Sequence, residues 1–236
     1  MEISQAIRRL AQREGADFVG FADLVRAHDF ILSQGGERVA SFPRAVSVGI
    51  AMPTDVVDQL ENFEDEKARI SYRHFAYDTM NSRLDQLTSL ITGLVERSGY
   101  RARPVPASKR NDNERICAEF SNKLAANLSG LGWIGKSCLM VVPGKGPRVR
   151  WATVLTDAPL PVAAQTMASR CGSCRKCVDV CPAKAFTGKP FREDEPREAR
   201  FDARACERYF DAREAKGLSP VCGLCVWVCP HGRGRD

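Results

Sequence analysis

Apolar positions recur with a helical period in three stretches of the chain. Residues 2–14, 73–98 and 113–128 place apolar side chains every three or four positions, which predicts amphipathic helices. The apolar positions of the last two are Ala76, Met80, Leu84, Leu87, Ile91 and Leu94, then Phe120, Leu124 and Leu128. Gly99 follows residues 73–98, where a glycine suits the C-terminal cap of a helix.

Four other stretches are shorter and more evenly apolar, as strands are. Residues 16–24 predict a strand and a turn, and residues 44–53 predict a buried strand that ends in proline. Residues 100–108 predict an edge strand, because their prolines cannot donate to a central ladder. Residues 137–160 predict two strands around the turn PGKGP. This mixture of helices and strands predicts an α+β protein with a layered α/β domain.

The polar residues are spread along the chain and carry a modest positive charge. No apolar run reaches the roughly 18 residues that a membrane helix needs, and the N-terminal residues lack the apolar core of a signal peptide. We therefore expect a cytoplasmic protein without membrane association. The formal net charge is +6, but basic residues are interleaved with acidic ones, which is typical of a solvated surface and not of a nucleic-acid stripe.

Cysteines change this picture of an ordinary globular chain. The sequence has ten cysteines, and eight of them fall between residues 171 and 229. Disulfides are rare in the cytoplasm, so clustered thiols there more often bind metal. The uneven distribution predicts a domain boundary in the linker-like segment near residues 160–170. We expect an α/β domain at residues 1–165 and a small metal-binding domain at residues 166–236.

The spacing of the eight clustered cysteines is that of a two-cluster bacterial ferredoxin. One run reads C-x2-C-x2-C-x3-C-P, and a later one reads C-x2-C-x3-C-P after an isolated cysteine. In this pattern the fourth cysteine of a run binds the neighbouring cluster. We therefore predict two [4Fe-4S] clusters with crossed ligands. The first set is Cys171, Cys174, Cys177 and Cys229; the second set is Cys181, Cys206, Cys222 and Cys225.

Zinc is the alternative metal, since zinc sites also use C-x2-C pairs. Zinc ribbons usually have two separated pairs, whereas three closely spaced thiols followed by Cys-Pro favour iron–sulfur clusters. The spacing between Cys206 and Cys222 is less characteristic of a cluster than the other spacings. The alternative is that Cys206 is an ordinary buried thiol. Two oxidised clusters with four thiolates each would add about −2 apiece, leaving a net charge of roughly +2.

A glycine-rich segment, SGLGWIGKSCLMV at residues 129–141, is the other distinctive stretch. Its letters satisfy the P-loop pattern G-x-x-x-x-G-K-[ST], but a P-loop follows a strand and precedes a helix, which is the reverse of the order predicted here. The remaining readings are a structural turn and a wall of a cofactor site, since glycine lets the backbone approach a ligand closely. The residues concerned are Gly130, Gly132, Trp133, Gly135 and Lys136.

These motifs together resemble a known family. LAANLSGLGWIGKSCLMV, WATVLTDAPL, CGSCRKCVDVCPAKAF and CGLCVWVCPHGR are similar to epoxyqueuosine reductases and, more remotely, to corrinoid reductive dehalogenases. The resemblance spans residues 45–236. It implies a nitroreductase-like, cobalamin-processing-like α/β domain joined to a two-[4Fe-4S] ferredoxin-like domain. It also implies that Gly130–Lys136 lines a cobalamin site or a nearby wall. It also implies that the P-loop match is accidental.

Two departures from the family affect the expected substrate. Epoxyqueuosine reductases have an Asp general acid in a segment like D-S-A-P-x-x-E-R, whereas Arg115, Ile116 and Cys117 stand at the matching offset here. Asp112, Glu114 and Glu119 are nearby, but the sequence assigns the role to none of them. Family members also continue into a helical-repeat tail that helps to bind tRNA, and this sequence ends at its residue 236. We therefore expect a substrate smaller than tRNA.

Candidate proton donors lie in ISYRHFAYD, residues 70–78. Tyr72, His74 and Tyr77 are candidate catalytic residues, with packing or surface roles as the alternatives. Arg148 is a candidate for holding cofactor amides or substrate phosphates, together with Arg150 on the same face of a strand; the alternative is that both face water.

Cys117 and Cys138 are expected to be buried small side chains and not nucleophiles. Two functions remain open. The first is an iron–sulfur oxidoreductase, fed by a ferredoxin or flavodoxin, that reduces cobalamin for chemistry on a small substrate. The second is an electron-transfer protein or corrinoid reductase that serves a partner and has no substrate of its own. Structural zinc with RNA binding is a minor third reading, and a flavin is an alternative cofactor.

Overall fold

A computed structural model describes residues 2–233 as two compact units, each assembled from three separate segments. The first unit comprises Met1–Ala51, Thr79–Leu131 and Arg150–Met167, and the second comprises Met52–Asp78, Gly132–Val149 and Ala168–Asp236. The cysteine-rich segment thus shares its unit with two segments from earlier in the chain. No helix among residues 2–233 combines the length and the apolar character that a membrane crossing requires.

A four-stranded sheet forms the centre of the first unit. Its strands are β1 (Phe18–Asp23), β2 (Arg44–Ala51), β3 (Ala102–Val105) and β6 (Val149–Thr156, whose first residue belongs to the second unit), in the order β1-β2-β6-β3. β1 pairs antiparallel with β2, and β3 pairs antiparallel with β6. The helices of this unit are α1 (Ile3–Arg13), α2 (His28–Gly35), α3 (Glu37–Ala40), α6 (Met80–Arg97) and α7 (Asn122–Leu128).

Helices cover both faces of the sheet. On one face, Val46 and Val48 of β2 join a buried cluster with Leu84 and Ile91 of α6 and with residues of α1. On the other face, Ala45 and Leu155 join a second cluster; its helical members include Ile31, Val39, Ala125 and Leu128. A strand whose two faces are both buried needs apolar residues at successive positions, which is why β2 and β6 are apolar runs without alternation.

The second unit has shorter elements around the cysteines. Its helices are α4 (Thr54–Asp58), α5 (Glu66–Arg73), α8 (Lys176–Asp179), α9 (Ala203–Glu214) and α10 (Leu224–Trp227), and its hairpin strands are β4 (Trp133–Ile134) and β5 (Met140–Val141). A buried cluster joins Met52, Val57, Leu60 and Tyr72 to Val221 and Val226 of the second cysteine motif. Residues far apart in sequence therefore share one small core.

Most predicted elements are present, with three differences. The helix expected at residues 73–98 begins at Glu66 and contains a π-helical segment, His74–Thr79, before α6. The helix expected at residues 113–128 begins only at Asn122, because the Ser121 side chain caps it by accepting the N–H of Leu124.

Residues 137–160 do contain two strands, but they are not partners. β5 pairs with β4, and β6 lies in the four-stranded sheet. β3 is an edge strand, as its prolines predict, and Gly99 ends α6 with a φ of +87°. The domain boundary near residues 160–170 stays a prediction, since the compact units divide the chain differently.

Candidate metal centres

All eight clustered cysteines lie in the second unit, and all ten cysteines of the chain are free thiols. Cys171 and Cys174 precede α8, Cys177 lies in it, and Cys181 follows it. The other four lie in or beside α9 and α10: Cys206, Cys222, Cys225 and Cys229. Short helices separated by turns bring these thiols together. No three His, Cys, Asp or Glu side chains within residues 2–233 are grouped to hold a single metal ion.

One group of thiols includes the last cysteine of the second motif. Burial raises the pKa of Cys177 to about 11, with further contributions from the nearby thiols of Cys171 and Cys174. Burial also raises the pKa of Cys229 to about 11, and the neighbouring thiols that add to the shift are Cys171, Cys177 and Cys174. Cys229 therefore lies beside the first motif although it is far from that motif in sequence.

The second group includes the last cysteine of the first motif. Burial raises the pKa of Cys206 to about 12, with added repulsion from Cys222 and Cys181. Burial likewise raises the pKa of Cys222 to about 11, and Cys181 adds to it. The pKa of Cys225 is raised well above its ordinary value by burial and then by Cys222, Cys206, Cys181 and Cys177. Cys181 thus lies among cysteines of the second motif.

This arrangement suits thiols that are ionised by a metal. Five of the eight thiols are poor acids on their own, because each thiolate would lose hydration and, in all five, would be near other thiols; they are Cys177, Cys206, Cys222, Cys225 and Cys229. Iron supplies the positive charge that makes four thiolates per cluster stable in such a site. The neighbours of Cys229 and of Cys206 agree with the crossed ligand sets predicted from the spacing, whereas Cys225 also has Cys177 of the first set nearby. The ligand assignment itself stays a prediction.

The glycine-rich segment contacts the loop of the first motif. Lys136 donates hydrogen bonds from Nζ to the carbonyl oxygens of Gly172 and Cys174, at 2.6 and 3.1 Å. A Cβ on Gly135 would lie 3.6 Å from the Sγ atom of Cys171, so the backbone passes close to that thiol. Trp133 is 1% exposed, and its ring meets that of His231 edge to face at 5.0 Å. These contacts hold the loop in place from one side.

The loop of the second motif is held by the segment at residues 52–78. Gly223 has a φ of +93°, and a Cβ there would lie 2.5 Å from the ring of Tyr72. Glu66, at the start of α5, accepts a hydrogen bond from Arg213 at 2.7 Å and another from the backbone N–H of Ser219 at 2.5 Å. Arg213 also donates to the carbonyl oxygen of Ser219. The Glu66 and Arg213 pair therefore fixes the chain just before Cys222.

The residues predicted to bind a cofactor make mainly structural contacts. A Cβ on Gly132 would clash with the carbonyl oxygen of Val141, and Gly130 has a φ of +68°. Arg148 precedes β6, is 2% exposed and donates to Asp58 at 2.7 Å, so the alternative that it faces water is wrong. Arg148 and Arg150 have different partners, because Arg150 bonds to Asn81. Contact of these residues with a cofactor stays a prediction.

The three candidate proton donors occupy different environments. Tyr72 is 2% exposed within the buried cluster, and its ring lies 6.1 Å from that of Tyr77 in an edge-to-face arrangement. Tyr77 is half-buried. His74 is exposed and lies 4.0 Å from the carboxylate of Asp78. The structure thus brings the two tyrosines together and leaves His74 at the surface, and their catalytic roles stay predictions.

The acidic residues near the missing Asp have structural partners. Asp112 accepts the backbone N–H groups of Glu114 and Arg115, both at 2.8 Å, which closes a turn. Glu119 accepts a hydrogen bond from Arg103 at 2.7 Å. The Asp112 contacts stabilise a turn at residues 113–116, where we expected a helix.

The other two cysteines differ in exposure. Cys138 is buried, as expected, whereas Cys117 is half-buried.

Sequence reasoning missed the residues that support the cysteine loops. Glu66, Arg213 and Gly223 lie in the second unit but carry no motif that distinguishes them from surface charges or an ordinary loop glycine. The sequence indicates Lys136 only as a cofactor-binding candidate. Its hydrogen bonds to the first cysteine loop span more than thirty residues of sequence, and nothing local predicts such a contact.

A family model matches the cysteine-rich segment. Residues 170–232 match the 4Fe-4S double cluster binding domain, which supports two [4Fe-4S] clusters in this part of the chain. The model describes two clusters and therefore favours iron over the zinc alternative.

Similar proteins share much more of the chain. Epoxyqueuosine reductase of Pseudomonas aeruginosa is 30% identical over 234 residues, covering 92% of this chain and 59% of that protein. The resemblance to epoxyqueuosine reductases is confirmed.

Two solved structures are also similar to this chain. A reductive dehalogenase described in terms of B12-dependent dehalogenation has a TM-score of 0.69 and 22% identity, covering 97% of this chain and 31% of the other. An epoxyqueuosine reductase in complex with an epoxyqueuosine-modified tRNA stem loop has a TM-score of 0.59 and 19% identity. The match covers 100% of this chain and 67% of the other.

These matches bear on the fold and on the substrate in different ways. The mixed α/β architecture with a double-cluster segment is confirmed, because solved structures of both expected kinds share this fold. The chain spans about a third to three fifths of the length of the curated relatives that it matches. Our expectation that tRNA is not a substrate conflicts in part with these findings, since one similar structure contains a tRNA stem loop.

Proposed function

We propose that this protein is a cytoplasmic iron–sulfur oxidoreductase. In this proposal electrons pass through two [4Fe-4S] clusters to cobalamin, which drives reductive chemistry on a small substrate. The observation that carries the proposal is the crossed placement of two cysteines, with Cys229 beside thiols of the first motif and Cys181 beside Cys206 and Cys222. Two neighbouring clusters permit rapid electron transfer between them, as in ferredoxins.

Cobalamin is supported by the similar dehalogenase and by polar atoms in the first unit. Ser47 of β2 and Thr153 of the neighbouring strand β6 are both fully buried, and their hydroxyl oxygens have no hydrogen-bond partner among residues 2–233. The indole nitrogen of Trp151, two residues before Thr153 and on the same face, also has none. Buried polar groups normally have partners, so these atoms fit a ligand that carries amide and hydroxyl groups.

The chain's own residues would position the clusters and the substrate. Cobalamin, when bound, supplies a cobalt ion that can be reduced strongly enough to act on a C–O or C–halogen bond. Lys136 and Glu66 fix the two cysteine loops through the hydrogen bonds described above. Tyr77, being half-buried, is better placed than the buried Tyr72 to deliver a proton to a substrate. A small acidic electron carrier, ferredoxin or flavodoxin, would supply the electrons.

The proposal is tested by anaerobic purification with added cobalamin. We expect iron and sulfide in equal amounts, together with cobalamin retained through gel filtration at about one per chain. Ser47→Ala combined with Thr153→Val should lower the retained cobalamin several-fold and leave the iron content unchanged. Protein that keeps its clusters but retains no cobalamin would restrict the function to electron transfer.

A second candidate is an electron-transfer protein or corrinoid reductase that serves a partner. It is favoured by the absence of an Asp at residues 115–117 and by the turn-closing role of Asp112. This candidate predicts that the protein reduces free or protein-bound cob(II)alamin without consuming any substrate. Turnover of an epoxide or an aryl halide by the purified protein alone would contradict it.

A third candidate is reduction of epoxyqueuosine in tRNA. It is favoured by the curated relative that covers most of this chain and by the similar structure with a tRNA stem loop. An epoxyqueuosine-modified tRNA stem loop, incubated anaerobically with the reduced protein and cobalamin, tests it by mass spectrometry of the nucleosides. Loss of one oxygen atom from epoxyqueuosine would support this candidate over a small substrate.

A further inference from the structure

Trp133 is near residues that flank the first and the last cysteine of the first ligand set. Its ring is in contact with His231, which follows Cys229 by two residues. The guanidinium carbon of Arg170, the residue before Cys171, lies 5.8 Å from the centre of the same ring. Trp133 is therefore close both to the residue that precedes the first ligand and to a residue two positions after the last ligand.

The indole nitrogen of Trp133 is buried and lacks a hydrogen-bond partner among residues 2–233. The side chain is 1% exposed, so bulk water does not reach this N–H group. An indole N–H can only donate, and leaving such a donor unsatisfied costs about 1–3 kcal/mol. The same backbone segment passes close to the Sγ atom of Cys171 at Gly135. A sulfur-rich group at this place would supply the missing acceptor.

We propose that Nε1 of Trp133 donates a hydrogen bond to a sulfur of the cluster held by Cys171, Cys174, Cys177 and Cys229. This inference rests on the two-cluster assignment of the proposed function. Trp133 is then a positioning residue that changes the reduction potential of this cluster. A hydrogen bond to sulfur favours the reduced, more negative state of an iron–sulfur cluster and so raises its reduction potential.

The test uses the anaerobically purified holoprotein with Trp133→Phe. This change removes the N–H group and keeps an aromatic ring against His231. We expect the reduction potential of the first cluster, followed by electron paramagnetic resonance during a redox titration, to fall, whereas that of the second cluster stays the same. The first cluster is identified as the signal that Cys171→Ser alters. The second cluster of the same variant is the internal control.

A second measurement does not depend on a variant. Wild-type protein with 15N in its tryptophan indoles should show a 15N hyperfine coupling to the reduced first cluster, and Trp133→Phe should lack it. An unchanged potential together with no 15N coupling would overturn the role of Trp133 while leaving the clusters intact. Protein without iron and sulfide would instead overturn the proposed function.

Discussion

Lys136 Nζ lies 2.6 Å from the carbonyl oxygen of Gly172 and thus links the glycine-rich segment to the first cysteine loop. The loop between Cys171 and Cys174 has exposed residues at Gly172 and Ser173, so few other contacts hold it. A charged donor that binds two carbonyl oxygens of one turn fixes the direction of the whole turn. The feature that resembles a P-loop lysine therefore acts here on the protein's own backbone.

Replacing this lysine should weaken the first cluster selectively. We expect Lys136→Met to lose iron from the first cluster several times faster than the wild type during incubation with a chelator, because the loop that presents three ligands is no longer anchored. Lys136→Arg should lose iron at a rate between those of the wild type and Lys136→Met, since a guanidinium can still donate to carbonyl oxygens. Equal rates of iron loss in Lys136→Met and the wild type would show that the contact is dispensable.

The second cysteine loop depends on a glycine. Gly223→Ala places a Cβ 2.5 Å from the ring of Tyr72 and at a φ of +93°. The left-handed conformation alone costs about 1–2 kcal/mol for a residue with a side chain, and the clash adds to it. We expect Gly223→Ala to lower the iron content of the second cluster and the free energy of unfolding.

Gly217→Ala is the control for this prediction. Gly217 has a φ of +71°, but a Cβ there would have no neighbour within 4 Å. It should therefore show the conformational cost alone, with full iron content. If Gly217→Ala and Gly223→Ala lose the same amount of iron, close packing against Tyr72 is not what holds the second loop.

Crossed ligation gives a specific pattern among single cysteine variants. Cys229 lies among the thiols of the first motif, and Cys181 lies among those of the second. We expect Cys229→Ser to alter the same electron paramagnetic resonance signal as Cys171→Ser. Cys181→Ser should alter the same signal as Cys222→Ser. Grouping of Cys181 with Cys171 in this experiment would mean that each motif holds its own cluster.

The first motif lies in a segment with excess positive charge. Residues 170–189 contain five basic residues and one acidic residue, whereas residues 190–216 contain seven basic and eight acidic residues. Lys176 and Lys189 are exposed and make no side-chain hydrogen bond or ion pair within the described part of the chain. An acidic electron carrier would be attracted to such a segment.

Removing these charges should slow electron delivery. We expect Lys176→Gln combined with Lys189→Gln to lower the rate constant of reduction by a reduced flavodoxin about tenfold at low ionic strength, with the difference fading at high salt. Lys216→Gln, at an exposed position of the balanced segment, should have no such effect. A similar decrease with Lys216→Gln would indicate general charge dependence and no defined docking segment.

The sequence predicts the metal centres better than it predicts their surroundings. Ligand spacing is a local property, because two residues between thiolates allow a loop to wrap a cluster, so Cys171, Cys174 and Cys177 can be recognised from the chain alone. The strands β2 and β6 are likewise visible as apolar runs. The turn at Asp112 and the late start of α7 depend on side chains that bond to backbone N–H groups, which apolar periodicity does not reveal.

Contacts between distant segments could not be predicted. Tyr72 is apolar enough to be placed in a core, but the sequence does not indicate that it packs on Gly223. The ion pair of Glu66 and Arg213 looks like two of many surface charges. For the same reason the three-segment composition of the second unit was missed, since tertiary contacts and not local composition decide it.

Metal and sulfide analysis of the anaerobically purified protein tests the central claim most directly. Two [4Fe-4S] clusters predict about eight iron and eight sulfide per chain, and two interacting signals in electron paramagnetic resonance after reduction. Zinc in place of iron, or protein without acid-labile sulfide whose thiols have formed disulfides, would contradict the account.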